Sequence, residues 1–188
     1  HFATMHIMNS KKGILFLADT LINHFPDTET LVDIAKLSAH TVRFFNHTPV
    51  MAMISFSNFG ADTVGSPVKM HEAVDIIQKE YPDLAIDGEM QVNFALDSKL
   101  RDEKYPFNRL HGKEVNTLIF PFLTAANAGY KLLQSMDLPG TEIIGPIQMG
   151  LNKPIHFTDI ESSVRDIVNI TAVAVIDAIV EKKKRNQK

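Results

Sequence analysis

The stretch from Met51 to Met90 constrains the fold more than any other part of this chain. An apolar run from Met51 to Phe56 ends at a short polar loop, Ser57–Gly60, which precedes a helical pattern. A second apolar run then ends on Asp87-Gly88-Glu89. Proteins of the α/β class place ligands where a strand ends at a glycine-containing loop before a helix, because backbone N–H groups converge there. The stretch therefore predicts an α/β fold.

Composition narrows the class of protein. With 188 residues, 45% of them hydrophobic, the chain is long enough for one domain with a substantial core. A net charge of −3 provides no basic face for nucleic acid, and no apolar run approaches the ~20 residues of a membrane-spanning helix. We expect neither a nucleic-acid partner nor a membrane, and there is no basic-then-apolar leader. The absence of cysteine excludes disulfides and thiolate metal sites and is compatible with the cytoplasm, where we expect the protein.

Strand and helix patterns alternate along the chain. A hairpin is predicted from Met5–Met8 and Ile14–Ala18, and a helix capped by Asp27 follows. A second helix is expected to begin with Ser66 as its cap and Pro67 at its first position. Further elements are predicted as a surface loop at Asp97–Arg109, a strand at Val115–Phe120, a helix at Ala125–Met136 and a strand at Glu142–Ile147. This alternation predicts one α/β domain over residues 1–188 with a mostly parallel sheet.

The last predicted helix, Ser163–Lys182, is apolar on most of its circumference. Such a helix is expected to be buried on more than one side. Its start has two possible capping boxes, Thr158 with Glu161 and Ser163 with Asp166.

The strand ends contain one group of candidate site residues. Ser55, Ser57 and Asn58 surround the end of the first strand, and two interpretations stay open: a polar ligand site, or a turn that satisfies its own backbone. The loop Gly60–Ser66 has the Gly and Ser spacing of a phosphate loop but lacks its lysine. The Asp87-Gly88-Glu89 acids, with Asp62 nearby, suit a metal or acid–base chemistry, yet no third ligand is visible and no paired-histidine motif occurs.

A second group follows later in the chain. Asn127 and Lys131 lie near the start of a predicted helix. Gln148 follows a strand and is flanked by glycines, and Lys153 follows in a loop. A lysine with free backbone N–H groups suits a phosphate-bearing ligand. The residues by themselves favour a plainer interpretation, in which Gly129 permits close helix packing and Lys131 is solvated.

Several segments, in order along the chain, resemble motifs of the phosphotransacetylase (phosphate acetyl/butyryltransferase) family. They are Phe16–Thr20, Asp87–Gln91, Asn116–Pro121, Asn127–Lys131, Gly145–Gly150 and Ser163–Asn169. Ser57–Gly60 and Met90-Gln91 resemble more narrowly the phosphotransacetylase-like C-terminal domain of bacterial NADP-dependent malic enzymes.

The resemblance implies a three-layer sandwich related to isocitrate and isopropylmalate dehydrogenases, with an acyl-CoA cleft between two parts. This chain would be the second part of a longer protein, and helix 163–182 would cross to a first part that precedes His1. Residues implied to line a site for acetyl-CoA or phosphate are Asn127, Lys131, Gln148, Asn152, Lys153, Ser162, Ser163 and Asp166. The resemblance implies no metal or cofactor in this chain, and NADP with Mg or Mn in the N-terminal part of the parent protein.

Two departures from the family pattern bear on activity. Family members carry a Ser-Arg-Gly segment before the last helix, where this sequence has Asp159, Ile160 and Glu161. Asp166 matches the family's catalytic aspartate, as a vestigial residue without its serine and arginine partners, and the two acids would repel an anionic acyl phosphate. We therefore expect a regulatory domain that binds acetyl-CoA, forms a homo-oligomer and lacks transferase activity. The alternatives are a catalytic phosphate acetyltransferase and a purely structural dimerisation module.

Overall fold

The computed structural model describes residues 1–158, 160 and 162–186. The strands are β1 (Ala3–Ser10), β2 (Gly13–Ala18), β3 (Val50–Ile54), β4 (Ala85–Met90), β5 (Thr117–Ile119) and β6 (Glu142–Met149). The helices are α1 (Thr28–Phe44), α2 (Ser66–Glu80), α3 (Val92–Leu96), α4 (Ser98–Lys104), α5 (Leu123–Ser135) and α6 (Val164–Asn186).

The strands form one sheet in the order β4-β3-β5-β2-β1-β6. The pairs β4/β3, β3/β5 and β5/β2 are parallel, whereas β1 runs antiparallel to both β2 and β6. The predicted mostly parallel, mixed sheet is confirmed. Its antiparallel edge is a consequence of the β1–β2 hairpin, whose tight turn reverses the chain direction.

Helices cover both faces of the sheet and make three layers. On one face α1, α2 and α6 bury Leu31, Met70 and Ile170 against strand residues such as Phe16. On the other face α3 and α5 contribute Ala95, Ala126 and Tyr130. This layering is that of the predicted α/β sandwich.

The early elements form largely as the sequence predicts. The hairpin pairs Met5 with Ala18, and Asp27 caps α1 by accepting a hydrogen bond from the Thr30 N–H at 2.8 Å. The predicted cap of α2 is wrong: the N-cap is Gly65, with φ of 76°, and Ser66 lies inside the first turn. Only glycine adopts that conformation at little cost, which starts the helix one residue earlier.

The predicted loop at Asp97–Arg109 is also wrong, since it contains α4. Asp97 caps this helix by accepting a hydrogen bond from the Leu100 N–H at 2.9 Å. The Arg101 side chain is fully buried and donates to the carbonyl oxygens of Leu110 and Lys113 at 2.9 and 2.7 Å. One buried guanidinium thus organises a polar segment that lacks an apolar pattern.

Helix α6 begins with the capping box of Ser163 and Asp166, as one of the two predictions had it. Ile170 and Val173 are its buried apolar residues among those described. Val168 is 60% exposed and Val175 52%, so the chain by itself does not supply the burial on several sides that the sequence predicts. Within the part of the chain described, no helix combines the length and apolarity of a membrane-spanning segment.

Candidate functional site

A cavity of ≈ 370 Å³ lies between α5, the β1/β6 edge of the sheet and the segment that leads into α6. We call it the α5 cavity. Its lining consists of His6, Leu21, Tyr130, Lys131, Gln134, Ile143, Gly145, Pro146, Gln148, Phe157, Thr158, Ser162 and Asp166. Four of the residues named from the sequence therefore meet at one place: Lys131, Gln148, Ser162 and Asp166.

The other four candidates lie outside this lining. Asn127 is half-buried on α5, and Asn152 is exposed after β6. The Lys153 ammonium lies 3.7 Å from the Glu181 carboxylate, beside a smaller cavity lined by His156 and Asp177. Ser163 caps the start of α6 and exchanges hydrogen bonds with Asp166, which does line the cavity. Asp159 and Glu161, the acids expected to repel an acyl phosphate, lie outside the described residues.

The start of α6 holds Asp166 in place. One carboxylate oxygen of Asp166 accepts hydrogen bonds from the Ser163 backbone N–H at 2.8 Å and from its hydroxyl at 2.7 Å. The Asp166 N–H in turn lies 3.2 Å from the Ser163 hydroxyl oxygen. A carboxylate in the first helical turn is further favoured by the helix dipole. Asp166 is thus a fixed negative charge at the cavity edge.

Lys131 supplies the cation. It is exposed on α5, one residue after Tyr130, and its ammonium lies 5.4 Å from the centroid of the Tyr130 ring. An ammonium near an aromatic face is attracted by the ring quadrupole. The cavity therefore carries one flexible positive charge and one fixed negative charge.

His6 is a site residue that sequence reasoning missed. Its ring stacks on the Tyr130 ring of α5, with the two centroids 4.0 Å apart and the ring planes at 13° to each other. The His6 side chain thus lies on the face of the sheet that α5 covers. A Cβ at Gly145 would lie 2.6 Å from His6 Cδ2, so the glycine is what lets β6 pass beside the ring. Burial, and secondly the charge of Lys131, lower the pKa of His6 to about 4, which keeps the ring neutral near pH 7. An isolated histidine in a strand pattern gave no signal of this placement.

Hydrogen bonds behind the ring fix His6. His6 Nδ1 lies 2.8 Å from the Thr20 hydroxyl, which lies 3.2 Å from the Thr4 hydroxyl. The Thr4 hydroxyl lies 2.6 Å from an Asp19 carboxylate oxygen. Asp19 also accepts from the backbone N–H groups of Thr4, Leu21 and Asn23 and from the Asn23 side-chain amide. We call Asp19, Thr4, Thr20 and His6 the buried hydrogen-bond chain.

At the ends of β3 and β4 the polar residues are bonded to one another. The Ser57 hydroxyl donates to Glu89 at 2.9 Å and accepts from the Asp62 N–H, and Asn58 accepts from the Gln91 N–H. These contacts fit the interpretation of a turn that satisfies its own backbone. Asp87 accepts from the Arg109 N–H at 2.6 Å, and burial raises the pKa of its carboxyl. Among the described residues, no three His, Asp or Glu side chains lie close enough together to bind a metal ion.

Residues 1–175 match the profile of the phosphate acetyl/butaryl transferase family. The chain is 38% identical over 174 residues to the NADP-dependent malic enzyme of Escherichia coli (strain K12), covering 93% of this chain and 23% of that protein. It is 40% identical over 169 residues to the phosphate acetyltransferase of Clostridium acetobutylicum, covering 89% of this chain and 50% of that protein.

A solved structure shows the same fold. The crystal structure of a phosphotransacetylase from Streptococcus pyogenes superposes with a TM-score of 0.87 at 33% identity, over 95% of this chain and 54% of that one. The chain thus spans about a quarter of the malic enzymes and about half of the phosphate acetyltransferases that it matches.

Proposed function

Because the chain belongs to the phosphate acetyl/butaryl transferase family, we propose that it is the C-terminal regulatory and assembly domain of an NADP-dependent malic enzyme. The parent protein would convert malate to pyruvate and CO₂ with NADP and Mg or Mn bound in its N-terminal part. This domain would bind acetyl-CoA as an effector in the α5 cavity and would not transfer acetyl groups.

The observation that carries this proposal is the convergence of Lys131, Gln148, Ser162 and Asp166 on one cavity. A binding site needs concave surface with a few convergent polar groups, and the α5 cavity provides both. Identity to several malic enzymes over most of this chain supports the choice of parent. The acids Asp159 and Glu161, at positions where the family resemblance expects serine and glycine, argue against transfer chemistry.

Calorimetric titration of acetyl-CoA into the full-length protein tests binding, with CoA and acetyl phosphate as comparators. Lys131→Met should weaken acetyl-CoA binding about 5-fold or more, because it removes the cation of the cavity. Lys12→Met, in the exposed β1–β2 turn, is the matched control and should leave binding unchanged. If the unmodified protein does not bind acetyl-CoA, the effector role is wrong and an assembly module remains.

Regulation requires more than binding. An effector changes activity only if it binds one global state of the protein better than another, with a typical coupling of about 1–3 kcal/mol. Malate oxidation measured with and without acetyl-CoA should therefore show a change in malate affinity or rate that Lys131→Met suppresses and Lys12→Met retains.

A second function is favoured by a specific observation: identity to a phosphate acetyltransferase is as high as identity to the malic enzymes. In that case the protein would move an acetyl group between CoA and phosphate, with Asp166 at the reaction. A coupled assay for acetyl phosphate formation by the full-length protein decides between the two. Turnover that Asp166→Asn abolishes would establish the transferase, and absence of turnover in a protein that binds acetyl-CoA supports the regulatory domain.

A further inference from the structure

The direction of the buried hydrogen-bond chain follows from the number of hydrogens available. Thr4 Oγ1 has one hydrogen, and the Asp19 carboxylate oxygen at 2.6 Å can only accept it. Thr4 Oγ1 then uses one lone pair for the Leu21 N–H at 2.8 Å. Its contact with Thr20 at 3.2 Å is a hydrogen bond only if Thr20 donates.

The hydrogen of Thr20 is therefore committed to Thr4, so the Thr20 oxygen accepts from His6 at 2.8 Å. The opposite direction would leave the Thr4 and Thr20 oxygens facing each other with lone pairs only, in a region where both side chains are buried. Every hydrogen in the chain thus points towards Asp19. His6 carries its proton on Nδ1, and Nε2 has a free lone pair.

The ring is held where that lone pair matters. Tyr130 covers one face of the imidazole, the β6 backbone at Gly145 lies against Cδ2, and Thr20 fixes Nδ1. His6 lines the α5 cavity, and among the hydrogen bonds of the described residues none occupies Nε2. Consecutive hydrogen bonds that point in the same direction also polarise and so strengthen one another.

We propose that His6 Nε2 is a hydrogen-bond acceptor built into the floor of the α5 cavity, and that it selects ligands which place an N–H, O–H or S–H donor there. The neutral ring adds no positive charge, so Lys131 is the cation of the described lining, opposite the carboxylate of Asp166. This arrangement favours the uncharged, thiol-bearing end of CoA, which carries hydrogen-bond donors, over a free phosphate dianion. The inference rests on the proposed function, because the cavity is taken as the ligand site.

Calorimetric titration of the full-length protein with CoA, and separately with inorganic phosphate, provides the test. His6→Phe keeps an aromatic ring against Tyr130 but removes the acceptor, and should weaken CoA binding about 3- to 10-fold, the worth of one hydrogen bond. His6→Gln places an amide oxygen near the position of Nε2 and should restore most of this loss. Phosphate should bind no better to the unmodified protein than to either variant.

A second measurement is independent of any variant's folding. In the full-length protein labelled with ¹⁵N at histidine, the His6 ring should show a protonated Nδ1 and an unprotonated Nε2. Equal CoA affinity in His6→Phe, or a proton found on Nε2, overturns the inference while leaving acetyl-CoA binding intact. Absence of CoA and acetyl-CoA binding in the unmodified protein overturns the proposed function and this inference together.

Discussion

Buried polar side chains at single positions hold this fold together. Glu89 is fully buried at the end of β4, where it accepts from the Ser57 hydroxyl and the Gly60 N–H at 2.9 Å each. Its second oxygen lies 3.2 Å from His71 Nδ1. Both hydrogen bonds end on Glu89 Oε1, so this one oxygen ties the loop after β3 to β4.

Replacing Glu89 by alanine should lower the free energy of unfolding by about 2–4 kcal/mol, because the Ser57 hydroxyl and the Gly60 N–H lose their acceptor. Chemical denaturation of the two proteins measures the difference. Glu72→Ala is the matched control, since Glu72 is exposed and makes one surface hydrogen bond to Thr28. A loss as small as that of the control would mean that Glu89 does not anchor the loop.

His6 makes stability depend on pH with a defined sign. Its pKa of about 4 in the folded protein lies below the ordinary 6.5 because the ring is buried, so the unfolded chain takes up a proton first as pH falls. The contribution of the neutral His6 ring to stability is therefore fully present above pH 6.5 and is lost as pH falls from 6.5 to about 4. A pKa difference of this size, about 2.5, corresponds to about 3 kcal/mol.

Urea unfolding of the unmodified protein and of His6→Phe at pH 7 and pH 4 checks this. Because the variant lacks the titrating ring, the unmodified protein should lose about 3 kcal/mol more than the variant across that range. His24→Gln, which removes an exposed imidazole outside the buried chain, serves as a control. Parallel pH profiles for the unmodified protein and His6→Phe would contradict the expected sign.

At the scale of elements, the segment around α4 depends on one side chain. The Arg101 guanidinium also donates to the Asn108 side chain at 3.2 Å, so it links α4 to the turn that precedes β5. Arg101→Met keeps the length of the side chain but leaves the carbonyls of Leu110 and Lys113 without this donor. We expect a loss of about 3 kcal/mol in unfolding free energy, against a change near zero for Arg43→Met at an exposed position of α1.

The sequence predicts apolar and capped elements well and buried polar anchors poorly. The hairpin, α1, β5 and the capping box of α6 are readable because alternation, helical spacing and cap residues are local signals. Arg101 and His6 carry no such signal, since a polar residue is expected at the surface until its distant partners are known. The same reason explains the site: the family resemblance identifies Lys131, Gln148, Ser162 and Asp166, whereas only the three-dimensional fold identifies His6.

The start of α6 gives a test at the element scale. Ser163→Ala removes the hydroxyl that bonds Asp166 and should destabilise the helix start by about 1 kcal/mol. The Asp166 carboxylate then keeps only the hydrogen bond from the Ser163 backbone N–H. Because it is held less firmly at the cavity edge, acetyl-CoA affinity should change more than stability predicts. Ser163→Thr, which keeps the hydroxyl, should restore the unfolding free energy measured by chemical denaturation. Equal stability of Ser163→Ala and the unmodified protein would mean that the capping box contributes nothing.

At the scale of the whole molecule, the antiparallel edge of the sheet and α6 together form the α5 cavity, which is the proposed ligand site. The α5 cavity is lined by residues of β1, α5, β6 and the segment before α6. It therefore forms only when the N-terminal strand packs beside the C-terminal elements. Helices α5 and α6 leave apolar side chains uncovered: Ile167 and Ile179 on α6 are 48% and 49% exposed, and Leu132 on α5 is 64% exposed. Several exposed apolar side chains on one helix, as on α6, are typical of an interaction face.

If a second copy of the chain covers α6, protection of that face must rise with protein concentration, because association follows mass action. The chain contains no cysteine, so a single Val168→Cys substitution on the exposed face provides one thiol to label. Its labelling rate should fall as concentration rises, whereas Lys99→Cys on α4 should react at a constant rate. A constant rate at both positions across the concentration range would contradict self-association through α6.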